Sequence, residues 1–332
     1  MQVGVNYPWF DYGWDFGAAP PSWRGSSTSP RWFANIDQDL QHLRSLGISV
    51  VRWFILADGL TYGTGQNAPR PDPAAVGQWR FNPPALSPEF LPHFEELLKR
   101  FDNANRSATH PIQLLPVLID FHFCEPGNSL NQLPGWVKQG RGDAIIDAAK
   151  RRQFLDATLD PMLHASTAHR NAIYAWELVN EPDWITTGWH PNGQSNLPVD
   201  EASMRAFIDE GKSRIRSSGF KPTIGFATID TIRRTGVTAE INEFHHYPGG
   251  VHSLGRHAFD PRFPGIIGEF ATAAGDTWPE LVNTGQTVLN RLKFAASQGY
   301  PLAIPWSFRA TDDQTSWSPA VENDIRSFTR NS

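Results

Sequence analysis

Eight short apolar runs alternate with helical patterns along the whole chain, and this alternation sets the folds open to it. The runs cover 2–6, 48–55, 112–121, 172–179, 222–227, 241–246, 264–269 and 301–308. They have strand length and little polar alternation, as parallel strands covered on both faces do. Between them, Ile36, Leu40, Leu43 and Leu46 repeat at helical spacing within 34–46. Ser87-Pro88-Glu89 reads as an N-cap followed by proline at the first helical position, which predicts a helix over 88–103. Longer helices are predicted over 142–168, 200–218, 279–298 and 319–329, with weaker segments near 229–237 and 251–260. A chain of this pattern forms a closed barrel or a doubly wound open sheet.

Loop lengths favour the barrel. Helix-to-strand links are short: Gly47, Gly219-Phe220-Lys221 and Gly299-Tyr300. Strand-to-helix links are long, over about 7–33, 56–87, 122–141, 183–199 and 309–318. A barrel enzyme builds its site from the loops that follow its strands. No glycine-rich phosphate loop follows the first strand, which disfavours a nucleotide-binding sheet. No repeat or linker divides the sequence. The expectation is an α/β chain with one (β/α)8 TIM-barrel domain over 1–332 and long strand-to-helix loops.

Composition narrows the partners. A chain 40% hydrophobic and 19% charged folds rather than staying disordered. Net charge is -5 with no basic stripe, so no nucleic-acid partner is expected. The apolar runs are too short to span a membrane. Cys124 is the single cysteine, which excludes an intrachain disulfide and leans towards a reducing compartment. Met1 leads directly into a strand pattern rather than a signal peptide, so the expected location is the cytoplasm, or outside the cell after processing. The outer helices carry no obvious apolar patch that would predict an oligomer.

Aromatic content is high, with 13 Trp, 21 Phe and 6 Tyr. Trp9, Trp14, Trp23 and Trp32 fall in the first long loop or at its edges. Trp79, Trp136, Trp184, Trp189, Trp278 and Trp317 fall in later strand-to-helix loops, and only Trp53, Trp176 and Trp306 in strands. This distribution predicts a mouth lined with indoles, which stack on the apolar faces of sugar rings. Large packing residues for a large barrel are the alternative.

Two strand ends carry the chemistry. Trp176-Glu177-Leu178-Val179-Asn180-Glu181-Pro182 closes the fourth strand, and Gly268-Glu269-Phe270 closes the seventh. A single strand-end glutamate is as readily a salt-bridge partner or a loop cap. Two of them, on opposite sides of an eight-membered ring, point to paired carboxylate chemistry.

With these residues in place, the chain resembles the clan A glycoside hydrolases, and is most similar to family 5, which contains cellulases and mannanases. The resemblance runs from the first strand to the eighth. Gly47-Ile48-Ser49-Val50-Val51-Arg52 resembles the strand-two arginine motif, and Asp120-Phe121-His122 the strand-three Asp-x-His. Asn180-Glu181-Pro182 resembles the acid/base signature, and His245-His246-Tyr247 the strand-six His-x-Tyr. Gly268-Glu269-Phe270 resembles the nucleophile motif, and Trp306 the strand-eight tryptophan. Tyr174 stands where a smaller aliphatic residue is usual, and Ala271 where glycine is common.

The resemblance implies a retaining β-glycoside hydrolase acting on glucan- or mannan-type poly- or oligosaccharides by double displacement, with no cofactor and no metal. Glu269 is the implied nucleophile and Glu181 the implied acid/base. Arg52 and a hydrogen bond from Tyr247 are expected to keep Glu269 ionised. The charge of Glu269 and aromatic walls are expected to raise the pKa of Glu181. Asn180 is expected to bind the sugar 2-hydroxyl, with turn capping as its bland role. His122 and His245 are expected to orient hydroxyls or carboxylates. For His122 a satisfied buried histidine stands equally. Trp306 floors the reacting sugar or packs the core, and Arg52 is possible as a plain interior ion pair.

Three other functions compete. A glycan-binding barrel without activity would not need both glutamates. A transglycosylase would use the same residues with a sugar acceptor. A metal-dependent amidohydrolase would need a strand-one His-x-His where this chain has Val3-Gly4-Val5-Asn6-Tyr7, and a chelator would inactivate it. His245, His246, His252 and His257 lack metal-ligand spacing and read as polar loop positions. Asp312-Asp313 reads as a solvated turn rather than a calcium loop.

Overall fold

The computed structural model describes residues 1–11, 13–17, 27, 29–57, 86–106, 108–125, 141–248, 264–309 and 315–331. Trp23, Trp79, Trp136, His252, His257, Asp312, Asp313 and the segment near 251–260 lie outside the described residues. Among the described residues, eight strands close a parallel barrel in chain order. They are β1 (Gln2–Asn6), β2 (Val50–Phe54), β3 (Gln113–Asp120), β4 (Trp176–Asn180), β5 (Pro222–Phe226), β6 (Ile241–His246), β7 (Ile266–Ala271) and β8 (Leu302–Trp306). Each falls within or beside its predicted run, and β8 returns to pair with β1.

The barrel interior explains the near absence of polar alternation. Alternate residues of each strand point inward, and the rest face the helices. Val50, Leu115, Ala175, Ile266, Leu302 and Ile304 form one buried apolar cluster among the inward positions. Two residues further along the strands, the inward positions turn polar: Arg52, Glu177 and Glu243 are fully buried. The floor of the barrel is therefore greasy, and its next layer is charged.

The helices follow from apolar spacing and caps. Ile36, Leu40 and Leu43 bury one face of α1 (Ile36–Ser45). Phe90, Phe94, Leu97, Leu98 and Phe101 do so for α2 (Phe90–Asn105). The helix starts two residues later than predicted, with Glu89 rather than Ser87 at the N-cap position. The helix begins at Phe90, whose N–H reaches the Ser87 carbonyl at 2.9 Å, because Pro92 fits only within a first turn.

The predicted helix over 142–168 is broken. It comprises α3 (Asp143–Ile146), α4 (Ala148–Ala157) and α5 (Leu159–Ser166). Asp147 is extended and accepts hydrogen bonds from the N–H groups of Ala149 and Lys150, so it caps a new helix. Pro161 has no N–H to give to a preceding turn, and the break at Thr158 accommodates it.

Asp200 caps α6 (Glu201–Ser217) through Ser203 N–H at 2.9 Å. Gly211 lets this helix lie against β4, since a Cβ there would run into Leu178. Thr228 caps the short α7 (Ile229–Thr235). The prediction over 279–298 also shortens, to α8 (Val288–Ser297). Gly285 at φ 91° and Thr287, whose hydroxyl takes the Asn290 N–H, restart the chain there. Ser318 caps α9 (Pro319–Thr329). No helix among the described residues is long and apolar enough to cross a membrane.

Candidate active site

The sequence-predicted site residues converge at the C-terminal end of the barrel. Register fixes much of this: Asn6 pairs with Arg52, Asp120 with Asn180, and His245 with Glu269. Register shifts occur between Glu177 and Asn180, between Phe244 and His245, and between Ile267 and Phe270. Such irregularities re-aim side chains at strand ends. Glu181 then turns out of β4 with left-handed φ and ψ of 47° and 51°. Pro182 biases its predecessor towards extended backbone, so the left-handed turn at Glu181 is a costly conformation that the surrounding contacts hold in place. The Glu181 N–H is held by the Gly225 carbonyl at 2.6 Å.

Arg52 organises the floor of the site. Its Nε and Nη2 donate to the two oxygens of Glu177 at 2.6 and 2.7 Å, a forked ion pair. Nη1 donates to Glu269 Oε1 at 2.6 Å and to Asn6 Oδ1 at 2.9 Å, and Nη2 also donates to Asn180 Oδ1 at 2.7 Å. Phe54 lies beneath the guanidinium at 4.9 Å. The two expectations for Arg52, interior ion pair and neighbour of Glu269, thus describe one arrangement.

Tyr247 donates its hydroxyl to Glu269 Oε2 at 2.9 Å. Burial lifts Glu269 above the ordinary carboxylate value, while the Arg52 guanidinium and the Tyr247 hydrogen bond pull it back. Glu181 has different neighbours. Its Oε1 meets His245 Nδ1 at 2.8 Å, and its Oε2 accepts from Trp184 Nε1 at 2.9 Å. Burial, and next the charge of Asp120, raise its pKa to about 7. The expected charge from Glu269 is not the leading cause: Asp120 lies on the neighbouring β3, and Arg52 neutralises much of Glu269. His245 is fully buried, and burial pushes its pKa down to about 4, so its ring is neutral.

Asn180 does not cap a turn. Besides accepting from Arg52, it donates to Asp120 Oδ1 at 3.0 Å, which leaves its second amide N–H. His122 is 21% exposed and pairs with Glu125 at 2.6 Å, so it is not a buried core histidine. It stands close enough to Glu181 to lower that group's pKa. Trp306 is 9% exposed and meets Trp9 and Phe54 edge-on, at 5.9 and 6.2 Å, in a small cluster that Tyr247 adjoins.

The indole-lined mouth needs correction. Trp14, Trp32, Trp189 and Trp278 are at most 1% exposed. Trp32 and Trp53 donate to Asp15, which folds the first loop back onto the barrel. These indoles serve as packing for long loops. Trp9, Trp184 and Trp317 remain partly exposed, and the first two stand at the site.

Asn6, Glu177, Glu243 and Trp184 were not singled out for the site by sequence. The signal for Glu243 is its place two residues before His245, an inward position of a buried strand. The carboxylate oxygens of Glu181 and Glu269 and Nδ1 of His245 lie within 4.8 Å of one another, a span that suits a divalent ion. An ion there would face the Arg52 guanidinium bound to Glu269, and both carboxylates already take donors, so we assign none.

No protein-family model matches this sequence, and no curated protein sequence does. Solved structures do resemble it. A β-1,4-mannanase from the common sea hare Aplysia kurodai is 18% identical with a TM-score of 0.64, covering 100% of this chain and 92% of that one. A β-1,4-D-mannanase from Cryptopygus antarcticus is 15% identical with a TM-score of 0.66, covering 99% and 90%. A broad-specificity endoglucanase from Clostridium cellulovorans is 13% identical with a TM-score of 0.52, covering 99% and 94%. What this chain shares with them, at under 25% identity, is the fold: a closed (β/α)8 barrel along nearly the full length of each chain.

Proposed function

We propose that this chain is a retaining β-glycoside hydrolase, with Glu269 as nucleophile and Glu181 as acid/base. The observation that carries this is the short span between the two carboxylates, with oxygens within 4.8 Å and His245 between them. Retaining enzymes hold their carboxyl groups about 5–5.5 Å apart, and inverting enzymes leave room for a water. The pair also differs in environment as two-role chemistry requires. Glu269 has the Arg52 guanidinium against it, whereas Glu181 is raised to about 7.

In the first step a Glu269 oxygen bonds to the anomeric carbon and the glycosidic C–O bond breaks. Glu181 gives its proton to the departing oxygen. In the second step Glu181, now ionised, takes a proton from water as the water oxygen attacks that carbon. The ester bond to Glu269 breaks and its carboxylate is restored. The free N–H of Asn180 suits the 2-hydroxyl, a contact that strengthens as positive charge grows on the ring. Trp306, backed by Trp9, suits the floor beneath the reacting sugar, and His122 the edge of the cleft.

The substrate we propose is a β-linked mannan- or glucan-type poly- or oligosaccharide. The similar fold of β-mannanases and a broad-specificity endoglucanase supports this class. The test is sugar release from a panel of β-linked glucans, mannans, xylans and bacterial exopolysaccharides, run with Glu269→Gln and Glu181→Gln. Release by the wild type, a loss of roughly a thousandfold or more in each variant, and initial formation of the β-anomer by NMR are expected. Near-normal rates in either variant, or initial release of the α-anomer, would overturn the assignment.

A further inference from the structure

We propose that Trp184 is a positioning residue that, together with His245, fixes which oxygen of Glu181 carries the catalytic proton. This rests on Glu181 being the acid/base. Trp184 ends the 3-10 turn Pro182–Trp184 that follows Glu181, and its indole N–H reaches back to Oε2 at 2.9 Å. The ring is held edge-on by His190 at 5.1 Å, with Phe121 tilted against it at 6.4 Å.

The proton assignment follows from what each group is able to donate. An indole N–H donates and never accepts, so Oε2 must offer it a lone pair. His245 is neutral and carries one ring proton. Its Nε2 is buried with no hydrogen-bond partner. A proton there would be an orphaned buried donor, and would leave Nδ1 bare to capture the proton of Glu181. A proton on Nδ1 instead donates to Oε1 at 2.8 Å. Oε1 then plays the carbonyl oxygen. Oε2 is left as the hydroxyl oxygen, accepting from Trp184 and free to direct its proton at the leaving group. After transfer, the same indole N–H stabilises the carboxylate that activates water.

Other groups facing Glu181 set its charge balance: Asp120 at the end of β3 and His122 just after it, Arg52 on β2, Glu269 on β7 and Asp183 on its own turn. The ionised carboxylates in this set cannot donate to Oε2, whereas the indole N–H of Trp184 does so at any working pH.

The test compares Trp184→Phe, which keeps an aromatic ring and removes the N–H, with wild type. The substrates are an oligosaccharide from the panel and the matching 2,4-dinitrophenyl glycoside, whose leaving group needs no proton. Loss of one N–H bond to a carboxylate is worth about one pH unit, so the alkaline limb of kcat/KM should move up by that amount. The kcat/KM for the oligosaccharide should fall about tenfold or more, and that for the activated glycoside, which reports the first step alone, by less than about threefold. Equal loss on both substrates with an unmoved alkaline limb would overturn the proposal.

A second readout needs no variant at the tryptophan. The Trp184 indole N–H resonance of the wild type should titrate with the pKa of the alkaline limb and stop doing so in Glu181→Gln. A resonance indifferent to pH would also overturn it. If Glu181→Gln instead retained normal rates on the oligosaccharide, the acid/base assignment itself would fall, independently of Trp184.

Discussion

Replacing Glu243 by glutamine should make the protein more stable above about pH 5, with a gain that grows up to about pH 8 and then levels off. Arg52 is the cation of the charged layer above the apolar barrel floor, and it pairs with Glu177 and Glu269 at 2.6–2.7 Å. Glu243 Oε1 lies 3.3 Å from Arg52 Nε with no hydrogen bond, and Oε2 accepts from Thr223 at 2.8 Å. Burial first, and the charge of Glu177 next, raise its pKa to about 8 from an ordinary 4.5. The folded state therefore binds a proton that the unfolded chain has already lost across that window. Stability is fully present below the unfolded value and is lost as pH rises through the folded one. Each pH unit is worth about 1.4 kcal/mol, so from about pH 5 to pH 8 the loss is about 4 kcal/mol.

Glutamine copies the neutral acid. Its carbonyl can face Arg52 Nε and its amide can donate to the Thr223 hydroxyl, with the same outline against Gly268. Denaturant unfolding of both proteins at several pH values gives the difference directly, because the other titrations largely cancel. A stability difference that rises by about 1.4 kcal/mol per pH unit between about pH 5 and pH 8 is expected. A difference independent of pH would mean that Glu243 is ionised in the fold, and the charge balance around Arg52 would have to be redrawn.

The remaining predictions concern the same layers. The kcat/KM profile should be bell-shaped, with its alkaline limb near pH 7 from Glu181, the acid that must hold its proton; a profile flat through pH 9 would contradict this. Arg52→Met leaves Glu177 and Glu269 buried without their cation, and should cost about 3–5 kcal/mol in denaturant unfolding. Gly211→Ala drives a methyl group into Leu178 between α6 and β4, and should cost about 1–3 kcal/mol, read as a lower Tm.

Sequence went furthest where a single local rule applied. The strands were legible because a run of apolar residues bounded by turns has few other places to go. The caps at Asp147 and Thr287 were missed because a capping side chain inside an apolar, helix-like stretch looks like any surface polar residue. The loop indoles misled because periodicity and position place a tryptophan in a loop without saying which way the loop folds. Trp14, Trp32, Trp189 and Trp278 turned inward, where each removes a large apolar area from water.

The site shows the same division. Sequence by itself determined the ring of strands and the chemical types at their ends, because strand parity and the barrel's order of strands bring Arg52, Asn180, Glu181, His245, Tyr247, Glu269 and Trp306 to one end. It could not say which charge answers which. One guanidinium shared among Glu177, Glu243 and Glu269, and an indole donating to Glu181, are contacts between side chains distant along the chain or across a strained turn. Only the closed barrel decided these, because the energy of a buried charge depends on distances of a few ångströms that no periodicity encodes.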